Sequence, residues 1–332
     1  MSPENDDNPE LAKKPAVPVQ GSLTLWTRRP GRAVSADRID DLIRAAEDIE
    51  LQDAWGAKSV RFAGRCFVQV HLPHSIRNID QFRPYQRESG NFFLEVKPDS
   101  QFGLPYGTIP RLILIWIADE VRRTKQQVLF LGDNLSKFMQ ELDIVPTGGR
   151  WGTVTSLKNQ MLRLFTSQIM FRYHPADNAK GRLFAVQEYD LWWDKPADPK
   201  QSNLWRSQIK LTDPLFKELL EHSHPVDMRA IKALRRSPME LDVYCWLTYR
   251  MFHLDHPLFL SYKALEAQFG AAYSKSSDFR INLDKALWSV LKQYPKAKVQ
   301  AGATEKGREG WRLLPSPTHI RKKLKELTSG QS

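Results

Sequence analysis

The sequence predicts an α+β protein in which one order of elements occurs twice. Three observations lead there. Apolar residues recur at helical spacing in several separate blocks. Short β-branched or aromatic runs alternate with those blocks. Matching blocks lie about 125–130 residues apart, the signature of a tandem pair rather than one large domain. The length of 332 residues fits two domains, and 41% hydrophobic with 11% aromatic residues is enough material for real cores.

Residues Met1 to about Arg32 carry Pro3, Pro9, Pro15, Pro18 and Pro30 with little periodic apolar pattern, and read as a disordered tail, 1–34. Ser35 can cap a helix from Ala36 to about Gln52, with Ile39, Leu42, Ile43 and Ala46 on one side. Strands are expected at Arg65–Leu72 and Asn91–Val96, separated by a polar loop.

From Gly103 the pattern sharpens. Ile109, Leu112, Ile113, Trp116, Ile117 and Val121 mark a helix, and Val128–Leu131 a short strand. Asp133 or Asn134 can cap a helix carrying Leu135, Phe138, Met139 and Leu142. Pro146 and Gly148-Gly149 break the chain before a helix with Val154, Leu157, Met161, Leu164 and Phe165 inward. Two strands, Ile169–His174 and Leu183–Trp193, close the unit around the turn-forming residues Asp177–Gly181.

The order then repeats. Ser237-Pro238-Met239-Glu240 has the features of a helix start: a capping Ser, Pro at the first helical position, and a Glu able to reach back to the cap nitrogen. A strand (Phe259–Ser261), a helix ended by Gly270, a helix with Phe279, Leu283, Ala286, Val290 and Leu291 inward, and strands Lys298–Ala301 and Gly310–Leu314 follow. Helix, short strand, helix, polar turn, helix and β-hairpin is the order of a winged helix. The domain reading is therefore a tail (1–34), an N-terminal extension with a first winged-helix domain (35–210), a second winged-helix domain (211–318) and a basic C-terminal tail (319–332).

Charge directs the functional reading. The formal net charge of +11 predicts attraction to polyanions, of which nucleic acid is the commonest. From Ile144 to Ala176 there is no Asp or Glu. In that window Thr155, Ser156, Asn159 and Arg163 share the face opposite the apolar stripe, with Arg150, Thr153 and Lys158 beside it. Arg and Asn can make bidentate hydrogen bonds to base edges, while Ser, Thr and Lys hold phosphates. The second copy offers Lys275, Ser276, Ser277, Arg280, Asn282 and Lys285 on its third helix, diluted by Asp278 and Asp284, and Lys306 and Arg308 at its hairpin tip. From Gly270 onward 13 Lys and Arg face 5 Asp and Glu, so this stretch supplies most of the net charge. Trp192-Trp193, Trp205 and Trp311 are read as core residues rather than base-stacking platforms.

Other chemistries find little support. Gly-x-x-x-x-Gly-Lys-Ser/Thr is absent, as is any Cys/His zinc spacing, so no cofactor and no metal are expected. Cys66 and Cys245 read as small buried residues. His71 and His74 flank Leu72-Pro73, which in an extended strand puts the rings on opposite faces. His222-Ser223-His224 with Tyr244 and Tyr249 has the residue types of a rolling-circle nicking site. The central Ser and the following Pro225 instead suggest the end of the Pro214–Glu221 helix, and the chain is expected to bind rather than catalyse. The most apolar stretch, Leu112–Ala118, is too short to span a bilayer, which together with the cysteine usage points to the cytoplasm.

Several linked motifs resemble the RepA family of plasmid-encoded replication proteins. They are Leu104-Pro105-Tyr106-Gly107-Thr108-Ile109-Pro110-Arg111-Leu112 running to Arg123-Thr124-Lys125, and Thr147-Gly148-Gly149-Arg150-Trp151-Gly152 leading to Gln160–Phe165. Segments His224–Asp227, Arg235–Pro238, Trp246–Arg250 and Leu313–Pro317 match in kind. The resemblance runs from about Phe62 to Ile320. It implies a tandem winged-helix initiator that binds repeated sequences in double-stranded plasmid origin DNA and opens the adjacent duplex. It further implies recruitment of host initiator and replicative helicase machinery, repression of the initiator's own gene, and action as monomer or homodimer. Thr147–Phe165 and the helix beginning near Ser276 are the DNA-reading elements it indicates. Asp119, Glu120, Arg122 and Arg123 are candidates for a dimer contact. A transcriptional repressor of the same fold and a nicking endonuclease are the alternatives.

Overall fold

The computed structural model describes residues 36–132, 134–173, 180–184, 186–191, 207–270, 273–304 and 307–321. The expected tail 1–34, Asp133, Trp192, Trp193, Trp205, Lys306 and most of the 319–332 segment lie outside them.

Helix α1 (Ala36–Leu51) buries Leu42 and packs on two helices of the C-terminal half. Strand β1 (Val60–Gly64) and the single turn α2 (Cys66–Gln69) replace the strand expected at Arg65–Leu72. Cys66, Val68, Gln69, Val70, His71 and Leu72 are all buried, so their alternation does not mark one face of a strand. The stretch expected as a polar loop holds β2 (Tyr85–Ser89), which pairs with β3 (Phe92–Lys97). Tyr85 is its one buried residue, too little apolar signal to read as a strand.

The first unit runs α3 (Thr108–Thr124), β4 (Val128–Phe130), α4 (Leu135–Glu141), α5 (Thr153–Thr166), β5 (Gln168–Tyr173), β6 (Lys180–Phe184), β7 (Val186–Asp190) and β8 (Gln208–Leu211). Asn134 caps α4, accepting from the Lys137 N–H at 2.9 Å. The single strand expected at Leu183–Trp193 is divided between β6 and β7, which lie in different sheets. One sheet has the order β2-β3-β5-β6 and the other β4-β8-β7.

The second unit is preceded by α6 (Asp213–Glu221), β9 (Ser223–Asp227) and α7 (Met228–Leu234). It comprises α8 (Pro238–His253), β10 (Leu258–Ser261), α9 (Tyr262–Phe269), α10 (Ser276–Gln293), β11 (Lys298–Ala303) and β12 (Glu309–Leu314). Its sheet has the order β10-β12-β11, so the short strand extends the hairpin. In the first unit the corresponding β4 pairs with β8 instead, while the β5–β6 hairpin joins β3. The two units thus share their element order, with α3 and α8 starting at 108 and 238, but differ in sheet pairing.

The N-terminal extension is shared between the two units: β2 and β3 join the β5–β6 hairpin, while α1 and β1 also reach the C-terminal half. Strand β1 pairs antiparallel with β9, Val60 opposite Asp227 and Gly64 opposite Ser223. Helix α1 packs on α7 and α10, where Gln293 Nε2 donates to the Leu42 carbonyl at 2.8 Å. Helix α8 is buried nearly all round, from Met239 through Thr248, and is the central element of the core. Ser237 caps it as expected, but Glu240 does not close a capping box. Its carboxylate pairs with Arg38 and Ser289, because α1 lies across that helix end.

Where α3 meets α8, Arg111 and Asp242 form a buried ion pair. Nε donates to Asp242 Oδ1 and Nη2 to Oδ2, both at 2.7 Å. The remaining donors reach the carbonyls of Leu72, Pro73 and Gly107. His74 Nε2 lies 2.7 Å from Asp242 Oδ2, and His71 lies 3.4 Å from the Gln268 carbonyl. Both histidines therefore serve one buried polar cluster, since the Leu72-Pro73 backbone is irregular rather than a strand.

Candidate nucleic-acid interface

The N-terminal end of α5 is built by the loop Val145–Gly152. The Thr147 N–H donates to Thr153 Oγ1 (2.8 Å) and the Thr153 N–H to Thr147 Oγ1 (2.9 Å). Thr153 Oγ1 donates to the Val145 carbonyl (2.7 Å), and Thr155 Oγ1 to that of Gly149 (3.0 Å). Gly149 adopts φ +87°, and a Cβ on Gly152 would lie 2.2 Å from the Thr147 oxygen. Only glycine fits that close approach. Thr153 and Thr155, expected to contact DNA, thus spend their hydroxyls on this loop.

Leu157, Met161, Leu164 and Phe165 bury the inner face of α5 as expected. Ser156, Asn159 and Arg150 are exposed and Lys158 is half-buried. Arg163 is a correction to the expected outward face. Its Nη1 donates to Gln81 Oε1 (2.9 Å) and to the Leu104 carbonyl (3.0 Å), and its guanidinium lies over the Tyr106 ring at 5.4 Å. The helix turns Arg163 toward Gln81, Leu104 and Tyr106, which one-dimensional spacing could not reveal.

On α10, Phe279, Leu283, Ala286 and Val290 point inward. Lys275, Ser277 and Asn282 are exposed, and Lys285 is half-buried. Ser276 donates to the Glu266 carboxylate at 2.9 Å, and Asn282 Nδ2 to the Asp278 carbonyl at 2.8 Å. Arg280 Nη1 sits 3.0 Å from Glu309 Oε2 on β12, and its guanidinium lies over Tyr262 at 4.8 Å. Asp284, which diluted the basic signal in sequence, leaves that face. Its carboxylate accepts from Tyr262 Oη (2.8 Å) and Trp311 Nε1 (3.0 Å), tying α10 to α9 and the hairpin. Burial raises its pKa. Arg308 is exposed at the hairpin tip.

Two features escaped sequence reasoning. Trp151 is 90% exposed; its signal was an aromatic between Arg150 and Gly152 in a segment without acids. The Arg111–Asp242–His74 cluster joins residues too far apart in sequence for any spacing to link. Other expectations find defined places. Trp311 is fully buried, and burial raises the Cys66 and Cys245 thiols. Asp119 pairs with Arg61 (3.3 Å), Arg122 donates to the Leu220 carbonyl and Arg123 pairs with Glu120, so all four candidate dimer residues have partners within the chain. His224 is buried against the Cys245 carbonyl (3.1 Å) as part of β9, not at a frayed helix end. Tyr244 is buried, its hydroxyl accepting from the Asp227 N–H and lying 2.9 Å from His319 Nδ1. Burial, then the Asp227 charge, push its pKa well up, which disfavours the ionised nucleophile. His319 stacks on Tyr294 and Ile320 is buried, so the expected basic tail begins inside the second unit. No helix among the described residues is long and apolar enough to cross a membrane.

These features define an α+β protein with two helix-and-hairpin units, each presenting a polar, cation-flanked helix to solvent. Residues 104–258 match the family described as plasmid encoded RepA protein. The match begins at Leu104, where the sequence motifs that resemble this family also begin. Among solved structures it is similar to domains 2 and 3 of RctB, in a selenomethionine form at 11% identity and TM-score 0.47, covering 78% of this chain and 97% of that one. A second RctB structure of domains 2–3 gives 9% identity and TM-score 0.44, covering 74% and 95%. The comparison with curated proteins gives no match.

Proposed function

We propose that the chain is a plasmid replication initiator that binds repeated sequences in double-stranded origin DNA through two winged-helix units. The observation that carries this reading is the outer surface of α5 with Arg150 just before it. Arg150, Ser156 and Asn159 are exposed in a window from Ile144 to Ala176 that contains no acid. Solvated helix faces ordinarily carry both signs of charge, whereas a phosphate backbone is met by cations and neutral donors. In this reading α5 enters one major groove and Asn159 reads a base edge. Helix α10 enters a second groove about one helical turn away, with Lys275, Ser277 and Lys285 toward phosphate. The β11–β12 hairpin is the wing, bringing Arg308 to the backbone.

The protein acts by binding, opening the neighbouring duplex and drawing in the host initiator and replicative helicase, and it assembles as a monomer or homodimer. The test is equilibrium binding of the full chain to its plasmid's origin and to scrambled duplex across a salt series. Tight origin-selective binding whose logarithm falls steeply with log salt is expected. Equal, weak binding to both would overturn the reading.

A further inference from the structure

We infer that Trp151 is a stacking platform for an unpaired nucleobase, so that the loop before α5 holds a separated origin strand; this rests on the reading that the α5 surface meets nucleic acid. An indole left 90% exposed keeps nearly all of its apolar surface outside the fold, with the Arg150 guanidinium lying over its ring. Its setting favours a planar, anionic ligand. Arg150 places its guanidinium 5.3 Å from the ring centroid, where it can meet the phosphate attached to a stacked base. Gly148 and Gly149 precede it, and a Cβ added at either would meet nothing within 4 Å, so the approach to the indole is open. The acid-free window removes the nearest sequence-local source of repulsion.

The presentation is also fixed. The reciprocal Thr147–Thr153 bonds, the Thr155–Gly149 bond and the Gly152 N–H donated to the Gly149 carbonyl (3.1 Å) brace the loop from both sides of the Trp. A braced platform loses little conformational freedom on binding. Val145, 70% exposed on the same loop, makes a protein partner the rival occupant. The missing acids and adjacent guanidinium favour the nucleobase.

The experiment measures anisotropy of labelled oligo(dT), oligo(U) and origin duplex with the full chain and with W151A and W151F. Wild type should bind oligo(dT). W151A should weaken that binding about tenfold or more, the value of losing one base–aromatic stack. W151F should recover most of it, and both variants should bind the duplex within about twofold of wild type. Equal loss on duplex and single strand would overturn the inference in favour of a duplex contact. No loss on either would overturn it in favour of a protein contact. Loss confined to oligo(U) would overturn the assignment to a DNA strand. Wild type that binds origin duplex but not oligo(dT) would remove this inference and leave the duplex reading standing. Wild type that binds neither would remove both.

Discussion

Replacement of Arg111 tests the junction between α3 and α8. Arg111 uses all its donor groups, in five hydrogen bonds to four partners: two to Asp242, and one each to the carbonyls of Leu72, Pro73 and Gly107. Arg111 and Asp242 are both buried. The guanidinium beside it, with His74, holds the Asp242 carboxyl well below the usual range despite its burial. Lysine has three donors in place of five, so R111K leaves at least two acceptor positions unpaired. At about 1–3 kcal/mol for each buried unsatisfied group, R111K should lose about 2–6 kcal/mol of stability. R111A leaves the Asp242 charge with His74 alone. Breaking a buried pair in this way costs about 3–5 kcal/mol, and the Arg111 bonds lost at the Leu72, Pro73 and Gly107 carbonyls add to it. The assay is urea denaturation followed by circular dichroism, with linear extrapolation to water. R111A should be the weaker of the two, and R111L with D242L should lie above R111A because no charge is left buried. A loss below about 1 kcal/mol for R111A would refute the reasoning, since it would mean that water already solvates the cluster.

Three further outcomes follow from the same geometry. Burial lowers His71 and His224 to about 4, whereas in the unfolded chain each titrates near 6.5. The unfolded state therefore takes up protons first, and stability should fall as pH drops from about 6.5 to 4, by about 2 kcal/mol for each histidine at pH 5; a flat urea midpoint between pH 7 and 5 would contradict this. Arg163→Ala should lower stability by about 1–3 kcal/mol through its lost bonds to Gln81 and Leu104, with origin discrimination unchanged once the folded fraction is taken into account; relaxed base preference at one position would return Arg163 to the groove. Asn159→Ala should weaken origin binding by about 1–3 kcal/mol and relax discrimination at one base pair, which a panel of single-base variants of the site would read out; uniform weakening across the panel would make Asn159 a phosphate contact.

The sequence by itself determined the α+β class, the repeated element order from α3 to β12, and the inward faces of α5 and α10. Those properties are local: helical periodicity, the Ser237 cap, an α4 cap narrowed to Asp133 or Asn134, and the glycine breaks act over a few residues and can be read in one dimension. It also carried the RepA motifs and the acid-free window, which are properties of residue order alone. The tertiary structure alone decided pairing and partnership. Which strand β4 joins, the division of the 183–193 run between two sheets, and the docking of β1 on β9 depend on contacts between distant segments. The same holds for side-chain roles. Arg163 and Asn159 carry similar signals on one helix, yet Gln81 and the Leu104 carbonyl claim Arg163 while Asn159 stays exposed. His71 and His74 looked divergent, and packing gives each its own partner: His74 meets Asp242, 168 residues beyond it, and His71 meets the Gln268 carbonyl. Polar residues are assigned by what lies opposite them, and only packing brings the opposite side into place.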